Sequence, residues 1–121
     1  MAQFENKYDL EKRTTQFSSE LIILCKLCPK DIVNIPIISQ LIRAGTSIGA
    51  NYREANGASS KKDFQNKIFI CKKESKETLY WLELIGGIID NEKQKQNCTK
   101  LWEEAKELTL IFSKIAHSTK N

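Results

Sequence analysis

The sequence predicts an all-α fold, an antiparallel up-down four-helix bundle. Three observations predict it. Apolar and small residues recur at alternating steps of three and four along four long segments, which gathers them on one side of each helix. Glycine and proline are scarce, at five and two, which favours long helices over a turn-rich β fold. No segment shows the period-two alternation of a half-buried strand. Short connections between four helices imply antiparallel neighbours. A chain of 121 residues fits one domain, and no low-complexity linker divides residues 1–121.

The first helix carries Leu10, Thr14, Phe17, Leu21, Leu24 and Cys28, and Pro29 stops it. The second carries Ile38, Leu41, Gly45, Ile48, Tyr52 and Ala55. Asn34 is its expected N-cap, Pro36 suits its first turn, and Gly57 ends it. Ser59 and Ser60 offer caps to the third helix, with Asp63 placed as in a capping box. That helix carries Phe64, Ile68, Cys71, Ser75, Thr78, Leu82 and Ile85, and Gly86-Gly87 weakens or ends it. The fourth starts near Asn91 and carries Cys98, Leu101, Ala105, Leu108, Phe112 and Ile115.

Hydrophobic residues make up 40% and charged residues 28%, a globular and not a disordered composition. The net charge of +4 is a mild basic excess with no basic tail, so any basic surface must be made by folding. Met1 to Lys7 lacks the apolar core of a secretory signal. No apolar run approaches the ~20 residues of a membrane helix. These features predict a cytoplasmic protein, with no membrane partner and its four cysteines held as thiols.

Apolar residues exceed one stripe per helix. On a helical wheel Ile70, Trp81 and Leu84 turn away from the third helix's core stripe, and Ile22, Ile23 and Leu27 flank that of the first. A second apolar face and a tryptophan suggest a partner surface, with self-association the economical reading. The competing reading is a wide core stripe with Trp81 across its edge. The same wheel gathers Lys61, Lys62, Lys72, Lys73 and Lys76 on one side of the third helix, with Phe69 and Tyr80 among them. Lysines neutralise phosphates and interleaved aromatics stack on bases. A solvated lysine face with aromatics tucked against a neighbour reads the same residues differently. On the second helix Arg43, Ser47, Ala50 and Glu54 share a line nearly opposite its core stripe. Arg43 and Glu54 could pair there across a subunit boundary. The alternative is an ordinary exposed face.

Catalytic and metal chemistry find little support. Cys25 and Cys28 form a CxxC, but Cys71, Cys98 and His117 are single and scattered. Zinc wants four ligands and a redox dithiol wants a βαβ setting, so these cysteines read as small apolar filler. One histidine near a terminus makes a nucleophilic triad improbable. Glu103, Glu104 and Glu107 read as a solvated face. Gly86-Gly87 lacks the lysine of a phosphate loop. No cofactor, metal or enzyme activity is expected.

Three blocks carry a resemblance to a known family: Gln40 to Ala55 (QLIRAGTSIGANYREA), Ser59 to Phe64 (SSKKDF) and Lys73 to Leu84 (KESKETLYWLEL). They resemble the four-helix-bundle proteins encoded in intervening sequences of bacterial 23S rRNA genes. Ala44 for the commoner serine and Cys71 for the commoner alanine are mild departures. The resemblance implies a ring-like homopentamer, with no enzyme activity and no cofactor. It also implies a more distant likeness to the accessory proteins of diversity-generating retroelements, basic pentameric barrels that bind nucleic acid and a reverse transcriptase. The motif residues it carries over are Arg43, Gly45, Thr46, Ser47, Gly49, Ala50, Asn51, Glu54, Lys73, Glu74, Glu77, Thr78 and Trp81.

Two functions from different classes follow. One is a homo-oligomer that binds nucleic acid, RNA before DNA, through Lys61, Lys62, Lys72, Lys73 and Lys76, with Arg43 and Arg53 in support. In it Arg43, Gly45, Thr46, Ser47, Gly49, Ala50, Asn51, Glu54, Glu77 and Trp81 belong to the oligomer interface or the family motif. The other is a scaffold whose oligomer recruits a protein partner. An enzyme would need a pocket assembled between subunits around Arg43, Asn51 and Glu54.

Overall fold

Four helices account for nearly all of residues 9–120, the residues described by the computed structural model: α1 (Leu10–Leu27), α2 (Asn34–Asn56), α3 (Lys61–Gly86) and α4 (Glu92–Ser118). The segment from Met1 to Lys7, on which the expectation of no secretory signal rests, lies outside the described residues. So do the ends of the predicted 1–121 domain. Each helix packs on the next in sequence and α1 closes the circuit against α4, while the diagonal pair α2 and α4 meets through core side chains, the Tyr52 ring lying 5.7 Å from that of Phe112. The cross-helix contacts run antiparallel: Gly45 and Gly49 lie against Leu21 and Thr14, and Arg43 and Glu54 bond Glu74 and Lys67. The result is an up-down bundle with short links at residues 28–33, 57–60 and 87–91.

Local chemistry sets most of the boundaries. Ser60 Oγ accepts from Asp63 N–H at 3.0 Å and Asn91 Oδ1 from Gln94 N–H at 3.0 Å, each relieving an orphan donor at a helix start. Asp63 reaches back to Ser59 N–H at 3.4 Å instead of the cap residue's own. The start of α2 differs from expectation. Asn34 is its first helical residue and not its cap. Asp31 does the capping, its Oδ1 accepting from the N–H groups of Val33 and Asn34 at 2.9 and 2.8 Å. An aspartate three residues upstream suffices because the link turns back on itself there.

The predicted stripes form the core. All six residues named for α1 are buried, as are Ile68, Cys71, Ser75, Thr78, Leu82 and Ile85 of α3, and Cys98, Leu101, Ala105, Leu108 and Phe112 of α4. The buried hydroxyls are satisfied within their own helices: Thr14, Ser75 and Thr78 donate to the carbonyls of Leu10, Cys71 and Glu74 at 2.7, 2.8 and 2.7 Å. Among the described residues no buried side-chain polar atom lacks a partner. Two glycines let α1 and α2 approach closely. A Cβ on Gly45 would stand 2.1 Å from Leu21 Cδ2, and one on Gly49 3.0 Å from Thr14 Oγ1. Both are buried, so the close packing they permit lies inside the chain and not at a subunit boundary.

α1 and α4 touch less extensively than the other neighbouring pairs, and charge reinforces their contact. Arg13 Nε and Nη2 donate to Glu104 at 2.6 and 2.9 Å, and Nη2 donates to Glu107 at 2.8 Å. Glu104 holds the Arg13 guanidinium more firmly protonated than usual, with Glu107 adding to it against the cost of burial. The face that read as solvated is therefore half engaged. No helix among the described residues is long and apolar enough to cross a membrane.

Candidate nucleic-acid interface

The core stripe of α3 fixes which residues it turns outward. With Ile68, Cys71, Ser75 and Thr78 buried, Lys62, Phe69, Lys73, Lys76 and Tyr80 fall on the exposed side, and Lys72 is partly covered. Phe69 and Tyr80 are 59% and 55% exposed, so neither ring is tucked into the bundle. The helical rise sets Lys73 about 6 Å and Lys76 about 10 Å along the axis from Phe69. Lys61 starts the helix on the exposed side. The predicted row thus forms one surface, with cations above, beside and below an exposed ring.

The two arginines grouped with these lysines stand elsewhere. Arg43 donates to the buried Glu74 at 3.2 Å, to Glu77, and to Gln40 at 3.1 Å. Its guanidinium pairs with two carboxylates of α3 while its side chain stays 48% exposed. Arg53 points toward α1, where it donates to Thr15 at 3.1 Å and lies 4.0 Å from Glu11. Neither Arg43 nor Glu54 needs a second subunit for its ion pair, because Glu54 accepts from Lys67 at 2.7 Å within the chain. The stripe Arg43, Ser47, Ala50, Glu54 is therefore anchored at both ends by α3.

Four motif residues meet in one network. Glu77 accepts from Trp81 Nε1 at 3.0 Å as well as from Arg43, which in turn reaches Glu74. The Trp81 hydrogen bond, with Arg43 behind it, holds the Glu77 carboxyl below the usual carboxylate range against a partial desolvation. Trp81 packs on the core edge and meets the Tyr80 ring edge-on at 5.0 Å, which is the wide-stripe reading of that residue. Ile70 is also half-buried. Thr46, Ser47 and Asn51 bond carbonyls of α2 itself, while Ala50 is exposed.

A different apolar surface stands out. Ile22, Ile23 and Leu27 are exposed as expected, and Ile32, Val33 and Ile35 extend them across the first link onto α2, with Ile32 89% exposed. Periodicity missed Ile32 and Val33 because a link has no stripe, and Ile35 because it lies off the α2 core stripe, although the run from Ile32 to Ile38 is plainly apolar.

The cysteines are buried thiols. Desolvation pushes Cys25 and Cys71 up to about 12 and Cys98 to about 11, and raises Cys28 too. Such thiols pack as small apolar groups. Among the described residues no three histidine, cysteine or acidic side chains are placed to hold a metal.

Fold and surface together define a small four-helix protein whose third helix turns a lysine- and aromatic-bearing face outward. Comparison with known proteins gives its family. A model of the 23S rRNA-intervening sequence protein family matches residues 6–114, and the chain belongs to that family. It is similar to the crystal structure of a protein of unknown function from the S23 ribosomal protein family of Bacteroides thetaiotaomicron VPI-5482. The two share 33% identity over 88% of this chain and 96% of that one, with a TM-score of 0.71. No curated protein matches.

Proposed function

We propose that this chain is a non-catalytic, self-associating protein that binds nucleic acid, RNA before DNA, through the outer face of α3. The observation that carries the reading is the row Lys62, Lys72, Lys73 and Lys76 interleaved with the exposed rings of Phe69 and Tyr80. Lysines supply sequence-independent affinity by displacing counterions, and the rings add base contacts. The family's link to 23S rRNA genes favours RNA. The exposed apolar side chains Ile22, Ile23, Leu27, Ile32, Val33 and Ile35, concentrated in one stretch of the chain, support self-association. A ring of five copies is the assembly that the resemblance implies. Buried free thiols suit a reducing cytoplasm.

The second reading is a scaffold that recruits a protein. It is favoured by the position of Ile32 and Val33 on a link, away from the α3 row.

The test is a titration of nuclease-treated protein against a structured RNA and a DNA of equal length across a salt series. Four phosphate contacts give a log–log salt slope of about −3.6 on a duplex and about −2.8 on a single strand. The triple variant K62E/K72E/K73E is expected to abolish binding with helical content intact. Unchanged affinity in that variant overturns the assignment and leaves the scaffold, which a pull-down after nuclease treatment then addresses.

A further inference from the structure

Between the first turns of α3 and the last turns of α4 lies an open groove of about 310 Å³. Phe69 lies in its wall, with Gln65 and Asn66 one turn before it and Lys72 one turn after. The opposite wall is the end of α4 and the residues just past it, which contribute His117 and Lys120. Phe69 is an apolar ring 59% open to solvent on a helix whose core stripe is already filled by Ile68 and Cys71. Its exposure follows from its place outside that filled stripe, on the outward side of α3. Amide side chains flank it on one side, cationic ones on the other, and no acidic side chain among the described residues lines the groove.

An apolar ring, two amides and two lysines are the pieces that an unpaired nucleotide needs. The ring offers a stacking platform, and every base has a π-face to lay on it. The amides can donate and accept at a base edge. Lys72 and Lys120 stand where a phosphate would be neutralised. The volume sits at the low end of the ~300–1,000 Å³ of small-ligand clefts, which suits a single nucleotide and not a stretch of duplex. A base inside a duplex is stacked on its neighbours and cannot lie on Phe69 without being extruded. Beyond the groove Lys73 and Lys76 continue along α3, so a strand leaving it meets positive charge.

We infer that the α3–α4 groove is a single-strand site, in which an unpaired base stacks on Phe69 while Lys72 and Lys120 hold its phosphates. This deepens the proposed nucleic-acid reading and rests on it. Duplex regions would bind only through the outer lysines, and the groove would select loops, bulges and ends.

Fluorescence anisotropy with full-length protein tests the inference. The probes are a labelled octauridylate, its deoxy counterpart and a blunt RNA duplex, and circular dichroism checks each variant's fold. Phe69→Ala is expected to weaken octauridylate binding about tenfold and leave the duplex unchanged, and Phe69→Trp to restore the single strand. The deoxy probe binding as well as octauridylate supports stacking on any single strand, whereas RNA-only binding adds a sugar contact to the same site. If Phe69→Ala binds octauridylate as wild type while Lys62→Glu with Lys73→Glu loses both probes, the groove inference falls and the electrostatic reading stands. Equal loss of duplex and single strand in Phe69→Ala also overturns it. If wild type binds none of the probes at low salt, the nucleic-acid reading falls first and the groove with it.

Discussion

Replacing Arg13 with methionine probes what closes the bundle. The change keeps much of the apolar stem and removes the guanidinium that bridges α1 to α4. Arg13 is 15% exposed at its side chain, and its two bonds to Glu104 are short, at 2.6 and 2.9 Å, with Glu104 30% exposed. A part-buried charge-assisted pair of this kind contributes about 1.5–2 kcal/mol. The third bond goes to Glu107, whose side chain is 60% exposed, and is worth no more than a surface pair, a few tenths of a kcal/mol. Full removal of a buried partner costs ~3–5 kcal/mol, but Glu104 can recover water here, so the lower sum of about 2 kcal/mol is expected. With a urea m-value of about 1.5 kcal/mol/M for a chain this size, the unfolding midpoint should fall by about 1.3 M. Urea titration at neutral pH, at one fixed protein concentration because association shifts apparent stability, reads it directly. A shift under about 0.3 M at unchanged m would refute the view that charge holds this seam.

Two further outcomes are expected. Gly45→Ala places a Cβ 2.1 Å from Leu21 Cδ2, and Leu21 is fully buried, so its side chain must shift within a packed core. Overpacking of ~1–3 kcal/mol outweighs the ~1 kcal/mol that alanine adds in a helix. The melting temperature should fall roughly 4–8 °C, while Gly57→Ala, where the nearest atoms are 3.9 Å away, stays close to wild type. Equal melting of Gly45→Ala and wild type would show that α1 and α2 do not pack this closely. The second concerns acid. Glu77 has its folded pKa below its unfolded value near 4.5, so its contribution is full above that value and is lost as pH falls through the folded one. The stability gap between wild type and Glu77→Gln should close below about pH 4.5. A gap unchanged down to pH 3 would mean that Trp81 and Arg43 do not hold the carboxylate.

Much of the fold was legible because a helix advertises its buried face in its own spacing. Leu10 to Cys28 and Ile68 to Ile85 could be assigned to the core before any neighbour was known. Ser60 and Asn91 announced helix starts, since capping is a contact between residues three apart. The lysine row of α3 was equally local, as lysines and rings on one helix share a face whatever the helix packs against. The partners of charges were not local. Arg13 and Glu104 are 91 positions apart, and their meeting depends on the register of α1 against α4. Arg43 read as an interface residue because a wheel shows that it leaves the α2 stripe, but not that Glu74 and Glu77 stand across from it.

The sequence by itself therefore determined four helices, their inward faces and the basic row of α3, all consequences of period and of short-range hydrogen bonding. Only the tertiary structure decided which charges are spent inside the chain and which face solvent. It also decided that Gly45 and Gly49 serve the contact of α1 with α2, and that Phe69 shares a groove with His117 and Lys120. Those outcomes follow from how neighbouring helices are rotated and offset. Packing of whole faces sets that geometry, and no single segment encodes it.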